Sequence, residues 1–317
     1  MDVVTIGETM ALLTPETTGK MRYASHFSRK FAGAETNVAI GVTRLGFQAG
    51  WISRVGEDEL GKAMSSFVRG EGVDTSQVKT DSQAQTGLYF KELRREQDVR
   101  VYYYRAGSAA SKLGPEDMEE DYIASAKYLH ITGITPALSE TCYQAVRQAI
   151  EYAKKHKVTI IFDPNIREKL WESKEKAKQV LLEIAAEADI VLPGVSEAKY
   201  LFGEHDLERY ASLFIENGAE VVILKEGSKG ASYFTKEEHG FVPSYQIDRV
   251  VDPIGAGDGF AAGVISGLLE NLSLEKTIAR ANAIGAMVTM VNGDVEGLPE
   301  MEEMERFVQD TKEDVSR

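Results

Sequence analysis

The sequence contains few cysteines, no excess of positive charge and no long apolar run. Its single cysteine, Cys142, cannot form a disulfide within the chain and has no companions at metal-ligand spacing, so we expect a small packing residue. The net charge of −14 argues against nucleic acid or an anionic membrane as the main partner. No apolar run approaches the ~18 residues of a membrane span, and strand-like residues 3–6 stand where a signal peptide would. These absences predict a cytoplasmic protein.

Three common nucleotide-binding loops are also missing. The sequence has neither a Walker A loop (G-x-x-x-x-G-K-[ST]) nor the glycine-rich loop of protein kinases. No G-x-G-x-x-G follows the first strand-like segment, which argues against one alternative, an NAD-dependent oxidoreductase. An anionic ligand must therefore find a local pocket of another design.

Short apolar runs alternate with amphipathic stretches along the chain. This alternation predicts βαβ units, a mostly parallel sheet and one cleft at the carboxyl ends of its strands. The predicted strands lie near 3–6, 127–131, 158–162, 189–192 and 220–224, and the helices near 140–156, 174–187 and 206–217. The 317 residues could hold two average domains or one large α/β domain with an insertion, and with 43% apolar residues and no low-complexity linker we expect the single α/β domain.

Residues 250–263 carry the clearest chemical signal. Three small residues, Gly255, Ala256 and Gly257, precede a helix-compatible run that extends to Leu269. Their backbone N–H groups can approach an anion closely, and the helix dipole favours negative charge there. Asp258 follows directly, and a carboxylate beside an anion hole is useful when it takes a proton from a nucleophile. The stretch predicts phosphoryl transfer, with an ordinary capped turn as the alternative.

The same stretch resembles the D-x-x-G-A-G-D-x-F-x-x-G signature of the ribokinase-like (PfkB) carbohydrate kinases. The matching residues are Asp252, Gly255, Ala256, Gly257, Asp258, Phe260 and Gly263. The resemblance implies a three-layer α/β/α fold with a small β-sheet lid, ATP and Mg²⁺ as cofactors, Asp258 as the catalytic base and an anion hole at 255–257. One departure is that Pro253 and Ile254 follow Asp252, where similar proteins often carry threonine.

Residues 31–46 open with small residues and continue as a predicted helix. They resemble the family's N-terminal motif G-G-x-x-x-N-x-A, with Ala32 in place of the first glycine. By this resemblance Gly33, Ala34 and Asn37 contact the sugar. Small residues before a helix are equally typical of tight packing.

Residues 84–107 change to strict alternation, which is typical of a β-hairpin. Segments 86–93 and 99–105 flank a charged turn at 94–98, and neither strand is expected to be wholly buried. Tyr103 and Arg105 share one face, which Tyr89 can join from the paired strand. Similar kinases cover the sugar with such a lid, built partly from a segment that corresponds here to about 13–30. A solvated hairpin is the alternative.

Further site residues follow from strand ends and from the resemblance. Arg167 lies just after the buried strand 159–162, at the edge of the predicted cleft. Glu197 matches a family position near the Mg²⁺–phosphate site and is expected to act through water, although it could also only start a helix. By resemblance Lys225, Gly227, Gly230 and Asn282 lie beside the nucleotide, together with Gly255 and Gly257. For Asn282 an exposed helix position is the alternative.

The resemblance also implies a substrate class. Stretches 102–109, 130–138 and 163–171 are similar to kinases that phosphorylate 2-keto-3-deoxygluconate (2-dehydro-3-deoxy-D-gluconate), and by resemblance Tyr89, Tyr103, Arg105, Ile134, Arg167 and Asp294 lie around this sugar acid. Two arginines suit a carboxylate, because they donate charge-assisted hydrogen bonds. A fructokinase or other hexose or ribose kinase, and a non-catalytic sugar or nucleotide sensor, are the alternatives. Free lid edges predict a homodimer or higher homo-oligomer.

Overall fold

The computed structural model of the protein describes residues 1–95 and 98–315, with side chains to residue 310. The described strands are β1 Val3–Ile6, β2 Met10–Pro15, β3 Phe27–Ala32, β4 Ala49–Gly56, β5 Val78–Asp81, β6 Leu88–Arg95, β7 Asp98–Tyr104, β8 Tyr128–Thr132, β9 Thr159–Asp163, β10 Ile190–Val191, β11 Val221–Lys225, β12 Gly230–Phe234 and β13 His239–Pro243. The described α-helices are α1 Ala34–Arg44, α2 Glu59–Gly70, α3 Glu120–Ala124, α4 Glu140–His156, α5 Lys174–Ala185, α6 Val195–Phe202, α7 Leu207–Glu216, α8 Ala256–Leu269, α9 Leu274–Thr289 and α10 Met301–Val315.

Nine strands form the main sheet in the order β13-β12-β11-β10-β9-β8-β1-β4-β5. From β11 along this order to β5, each strand is parallel to the next, whereas β12 pairs in the antiparallel direction with both β11 and β13. Parallel strands need crossover connections, and helices between them supply these. The carboxyl ends of β1, β8, β9 and β11 therefore meet at one edge of the sheet.

Helices cover both faces of the main sheet and create two apolar cores. Along β9 the buried residues alternate between them, because successive side chains of a strand point to opposite faces: Ile160 and Phe162 join one core and Ile161 the other. Helices α3 to α7 pack on the first side, and α1, α2, α8, α9 and α10 on the second. This three-layer arrangement confirms the predicted fold class.

Helix limits follow local capping residues. Helix α4 matches the predicted range 140–156, because the Ser139 hydroxyl accepts a hydrogen bond from the Cys142 N–H at 3.1 Å and Lys157 ends the helix with a left-handed φ of 58°. Cys142 is buried, as predicted for a packing residue. Strand β10 has two residues and is shorter than the predicted run 189–192.

Helix α8 is buried along most of its length and packs closely on α9. A side chain at Gly263 would place its Cβ 2.5 Å from the Ala281 Cα, so only glycine permits this approach. The close contact fixes the N-terminus of α8, which carries the small residues 255–257. Although α8 is apolar, no helix in the described part of the chain is long and apolar enough to cross a membrane.

A second, four-stranded sheet has the order β3-β2-β6-β7. Strands β6 and β7 are the predicted hairpin, and Tyr89 pairs directly with Tyr103. The other two strands lie at 10–15 and 27–32, so the predicted segment 13–30 contains only the end of β2 and the start of β3. Of the predicted turn 94–98, residues 96 and 97 lie outside the described residues.

Candidate active site

A cavity of about 390 Å³ lies where the carboxyl edge of the main sheet meets the second sheet and the first turns of α1 and α8. Most of the side chains predicted from the sequence line this cavity. They are Gly33, Ala34, Asn37, Tyr89, Tyr103, Arg105, Ile134, Arg167, Glu197, Lys225, Gly255, Gly257, Asp258 and Asp294. The structure thus brings together residues that are up to 261 positions apart in the sequence.

The predicted anion hole lies at the N-terminus of α8. Gly255 is the N-cap and has a left-handed φ of 84°, and a Cβ there would lie 3.0 Å from the Asp294 carbonyl oxygen. Space remains open over Gly257, since the nearest atom to a Cβ built there is Lys225 Nζ at 4.0 Å. The first N–H groups of a helix have no acceptor within the helix, so this turn can donate to an anion. Ala256 begins the helix between the two glycines but does not itself line the cavity.

Asp258 is held at the floor of the cavity by two amides. Its Oδ2 accepts a hydrogen bond from Asn37 Nδ2 at 2.8 Å, and its Oδ1 one from Asn165 Nδ2 at 3.5 Å. Burial raises the pKa of Asp258 from 3.8 to about 7, the Asn37 bond lowers it, and the nearby carboxylates Asp163 and Asp294 raise it further. A carboxylate with a pKa near neutrality is suited to general base catalysis.

Lys225 and Asp163 form an ion pair beside Asp258. The ammonium group at the end of β11 donates to Asp163 Oδ2 at the end of β9, over 2.8 Å. Burial lowers the pKa of Lys225, but the charges of Asp163 and Glu197 outweigh this effect and leave the pKa above its ordinary value. Lys225 therefore stays charged and brings a positive group within reach of the anion hole.

Glu197 lies in the first turn of α6 and caps the start of this helix with its side chain. One carboxylate oxygen accepts from the Gly194 N–H at 2.7 Å, and the other from the Ile166 N–H at 2.8 Å. Burial is the main reason that its pKa is raised. The helix start named as the alternative for Glu197 is present, and a metal role stays a prediction. Each carboxylate oxygen keeps a further lone pair, which suits contact with a metal-bound water.

The two predicted arginines differ in their surroundings. Arg105 is 9% exposed, and its Nε and Nη2 both lie 2.6 Å from Glu8 Oε2. Ser108 donates to the other oxygen of Glu8 at 2.5 Å, so this carboxylate fixes the Arg105 fork. Arg167 is exposed and lines the cavity. Glu8 was not predicted as a site residue, although it stands at the polar end of the first strand.

Asp294 and Glu35 are two further buried carboxyl groups in the wall. Burial is the largest cause that raises the pKa of Asp294, to about 6, and its Oδ1 has no partner among the described residues. Glu35 was not predicted, since it lies inside the small-residue motif. Burial raises its pKa, and its Oε1 accepts hydrogen bonds from Thr132 and Thr135 at 2.5 and 3.1 Å. The cavity wall is therefore rich in acid groups, consistent with the need for Arg167 and Lys225.

Three residues predicted beside the nucleotide lie outside this cavity, around the β12–β13 hairpin. Gly227 follows β11 in a turn, and a Cβ at Gly230 would lie 2.1 Å from the Val242 carbonyl oxygen, so this glycine serves strand pairing. Asn282 is 5% exposed, and its Nδ2 donates to Val242 O at 3.0 Å and to Pro243 O at 3.2 Å. The alternative of an exposed Asn282 is wrong, because apolar α9 residues share its buried face.

Residues 1–301 match the family described as pfkB family carbohydrate kinase. The chain is 41% identical over 309 residues to the 2-dehydro-3-deoxygluconokinase of Bacillus subtilis (strain 168). The matched region covers 97% of this chain and 95% of that protein. It is 35% identical over 313 residues to the 2-dehydro-3-deoxygluconokinase of Thermoproteus tenax, with 97% and 94% covered. It is also 32% identical over 316 residues to fructokinase-1 of Zea mays, with 97% of each covered.

Solved structures agree with these matches. The 2-dehydro-3-deoxygluconokinase of Thermotoga maritima superposes with a TM-score of 0.89 at 27% identity, over 98% of this chain and 99% of that chain. A candidate ribokinase II from E. coli, in complex with ATP and Mg²⁺, gives 0.89 at 29% identity, over 97% and 99%. No support remains for the oxidoreductase alternative, and the chain belongs to the pfkB family of carbohydrate kinases.

Proposed function

We propose that this kinase transfers the γ-phosphoryl group of ATP to the primary hydroxyl of 2-keto-3-deoxygluconate, giving the 6-phosphate. The observation that carries the proposal is the pairing, in one cavity, of the buried base Asp258 with the exposed guanidinium of Arg167. The first suits proton removal from a hydroxyl, and the second suits the carboxylate of a sugar acid. Two 2-dehydro-3-deoxygluconokinases among the relatives support the same substrate.

The chemistry of the transfer rests on three groups of this chain. Asp258 accepts the hydroxyl proton while the amides at 255–257 receive the charge that develops on the phosphoryl oxygens. Asn37 orients the carboxylate through the 2.8 Å hydrogen bond to its Oδ2. The second sheet acts as a lid that excludes water, which otherwise competes as acceptor.

Recognition of the keto acid depends mainly on Arg167. Arg105 already has two of its donor nitrogens on Glu8, which neutralises most of its charge. The guanidinium of Arg167 is exposed and lines the cavity, so a substrate carboxylate can approach its planar fork. Tyr89 and Tyr103, with ring centroids 5.5 Å apart, form the wall over the sugar carbons. Gly33, Ala34, Ile134 and Asp294 complete the proposed sugar site.

The nucleotide is proposed to extend from the anion hole towards the β12–β13 hairpin, past Lys225, Gly227, Gly230 and Asn282. Among the described residues no group of three or more His, Cys, Asp or Glu side chains is placed to hold a metal. The lack of such a group is compatible with Mg²⁺ binding, because Mg²⁺ keeps several water and phosphate ligands and needs few carboxylates. Glu197 would contact one of those waters. When bound, Mg²⁺ neutralises phosphate charge.

A substrate panel tests the proposal. kcat/KM is measured with 2-keto-3-deoxygluconate, fructose and ribose in the wild type, in Arg167→Lys and in Arg105→Lys. We expect the keto acid to be preferred and Arg167→Lys to reduce its efficiency selectively, because lysine keeps the charge but loses the planar fork. Each charge-assisted bond lost costs about 1.5–3 kcal/mol. An equal loss for every sugar in Arg167→Lys would assign this arginine to the fold or the phosphates instead.

A neutral hexose such as fructose is the second candidate substrate. The Glu8–Arg105 ion pair favours a neutral substrate, because Glu8 already occupies one of the two arginines that were expected to bind the carboxylate of a sugar acid. The similarity to fructokinase-1 points the same way. Efficiency with fructose equal to or above that with the keto acid would promote this candidate.

We also propose a homo-oligomer joined through the second sheets. The outer face of this sheet carries an aromatic row, in which Phe90 meets Phe27 and Tyr104 with ring centroids 5.7 Å away in each case. Tyr104 is 63% exposed, and a second copy would cover it. Sedimentation should give a dimer or higher oligomer, which Tyr104→Glu dissociates. Phe241→Glu, at an exposed aromatic residue of β13 on the edge of the main sheet, is the control, and a fully active wild-type monomer would refute the proposal.

A further inference from the structure

A buried ion pair joins the second sheet to the loop that leads into the anion hole. Lys91 of β6 donates from Nζ to Asp252 Oδ2. The two residues are 9% and 6% exposed, so water screens their attraction little. Lys91 does not line the catalytic cavity, and it lies in a neighbouring cavity of about 870 Å³. Pro253 lines both cavities and so separates the ion pair from the site.

The second oxygen of the same carboxylate shapes this loop. Asp252 Oδ1 accepts a hydrogen bond from the Ile254 N–H at 3.2 Å, which bends the chain into Gly255. The Asp252 N–H donates to Thr289 O at 3.2 Å and holds the start of the loop on the end of α9. A displacement of the Asp252 carboxylate would therefore move the first residue of the anion hole.

The lysine is also rigidly linked to the sugar site. Tyr89 and Lys91 are two positions apart on β6 and so project from the same face of the sheet. Tyr89 lines the catalytic cavity, and the strand between them pairs on both sides, with β2 and with β7. A sugar that packs against Tyr89 therefore also fixes the position of Lys91, because only one residue of a strand that is hydrogen-bonded on both sides separates them.

We propose that Lys91 is a positioning residue that couples an occupied sugar site to the shape of the anion hole, through Asp252. Stability alone explains the pair poorly, because a buried ion pair contributes little more than an apolar pair of similar volume. The inference rests on the kinase activity of the family and not on which sugar is the substrate. The nucleotide site is completed when β6 is held by the sugar.

Calorimetric binding of a non-hydrolysable ATP analogue, with and without saturating sugar, measures this coupling. The sugar is whichever one gives the wild type its highest kcat/KM, so that an error in the proposed substrate does not affect the result. The variants are Lys91→Met and the double variant Lys91→Met/Asp252→Asn. The double variant leaves no unpaired buried charge and keeps the Oδ1 acceptor for Ile254, so it serves if the single variant does not fold.

Lys30→Met is the matched control. Lys30 lies on β3 of the same sheet and binds Glu296 at 2.8 Å and Asn292 O at 3.0 Å, so it also ties the sheet to the body of the protein without contacting loop 252–255. We expect sugar to tighten analogue binding in the wild type by roughly 5–150-fold, the usual range of such couplings. Lys30→Met should keep this factor. In both Lys91 variants the factor should fall to about 1.

Three results would overturn the inference. One is a wild type in which sugar does not change analogue affinity. Another is a double variant that keeps the wild-type factor. The third is an equal loss in Lys30→Met, which would show that any loosening of the second sheet has the same effect.

Discussion

Replacing Asp258 by asparagine should remove activity and at the same time stabilise the folded protein at alkaline pH. The amide keeps the shape of the side chain but accepts no proton, so kcat should fall by roughly 10²–10⁴ while nucleotide still binds. A non-catalytic sensor has no turnover to lose, so the same variant separates a kinase from a sensor. The gain in stability is the less obvious consequence, and it follows from burial.

The size of that gain comes from the pKa of the buried group. Folding raises the pKa of Asp258 from 3.8 to about 7, so its contribution to stability is fully present below pH 3.8 and is lost as the pH rises through 7. A shift of about 3 units corresponds to about 4 kcal/mol. Asparagine avoids this loss but cannot accept from both Asn37 and Asn165, which costs about 1 kcal/mol. The net gain is about 3 kcal/mol above neutral pH.

Urea unfolding of both proteins at about pH 5 and about pH 8 measures this difference. The stabilisation of Asp258→Asn should be much larger at the higher pH. Glu237→Gln, at an exposed carboxylate, is the control and should change the free energy of unfolding little at either pH. A variant that is destabilised equally at both pH values, or that keeps wild-type turnover, would refute the reasoning.

Three further perturbations follow from the site. Wild-type kcat/KM should rise with pH, with a midpoint at about 7. Asn37→Ala should move this midpoint upward, because the hydrogen bond from Asn37 lowers the pKa of Asp258. An unchanged midpoint would show that Asn37 does not influence the titration of Asp258. Lys225→Met should destabilise by about 3–5 kcal/mol in urea unfolding, whereas Lys199→Met, in an exposed pair, should cost about 1 kcal/mol or less. Gly255→Ala should lower kcat and cost about 1 kcal/mol or more, since φ is 84°, and an active, fully stable variant would contradict the geometry of the hole.

Local patterns in the sequence predicted much of the fold. Helix α4 has the predicted limits because a serine N-cap and a left-handed residue mark its ends. The shared face of Tyr103 and Arg105, which Tyr89 joins from the paired strand, follows from the two-residue period of the hairpin strands. The shorter strand β10 and the positions of β2 and β3 depend on pairing with distant strands, so local pattern gave them only approximately.

The positions of the site residues were predictable where they follow strand ends or family motifs, but their partners were not. Glu8 and Arg105 are 97 residues apart, and Lys91 and Asp252 are 161 apart. Nothing local shows that such charges are buried against each other, because packing of the second sheet on the main sheet creates the contact. Asn282 had a local signal that was overlooked: Ile278 and Ala286, four residues away on either side, are apolar and share its helix face.

We expect the protein to phosphorylate 2-keto-3-deoxygluconate at its primary hydroxyl. The most direct measurement is phosphorus NMR of a reaction containing the protein, ATP, Mg²⁺ and this keto acid. We expect a phosphomonoester on carbon 6, formed in equal amount to ADP and formed far more slowly by Asp258→Asn. ADP release without a sugar phosphate, or a phosphomonoester that forms only when fructose replaces the keto acid, would contradict it.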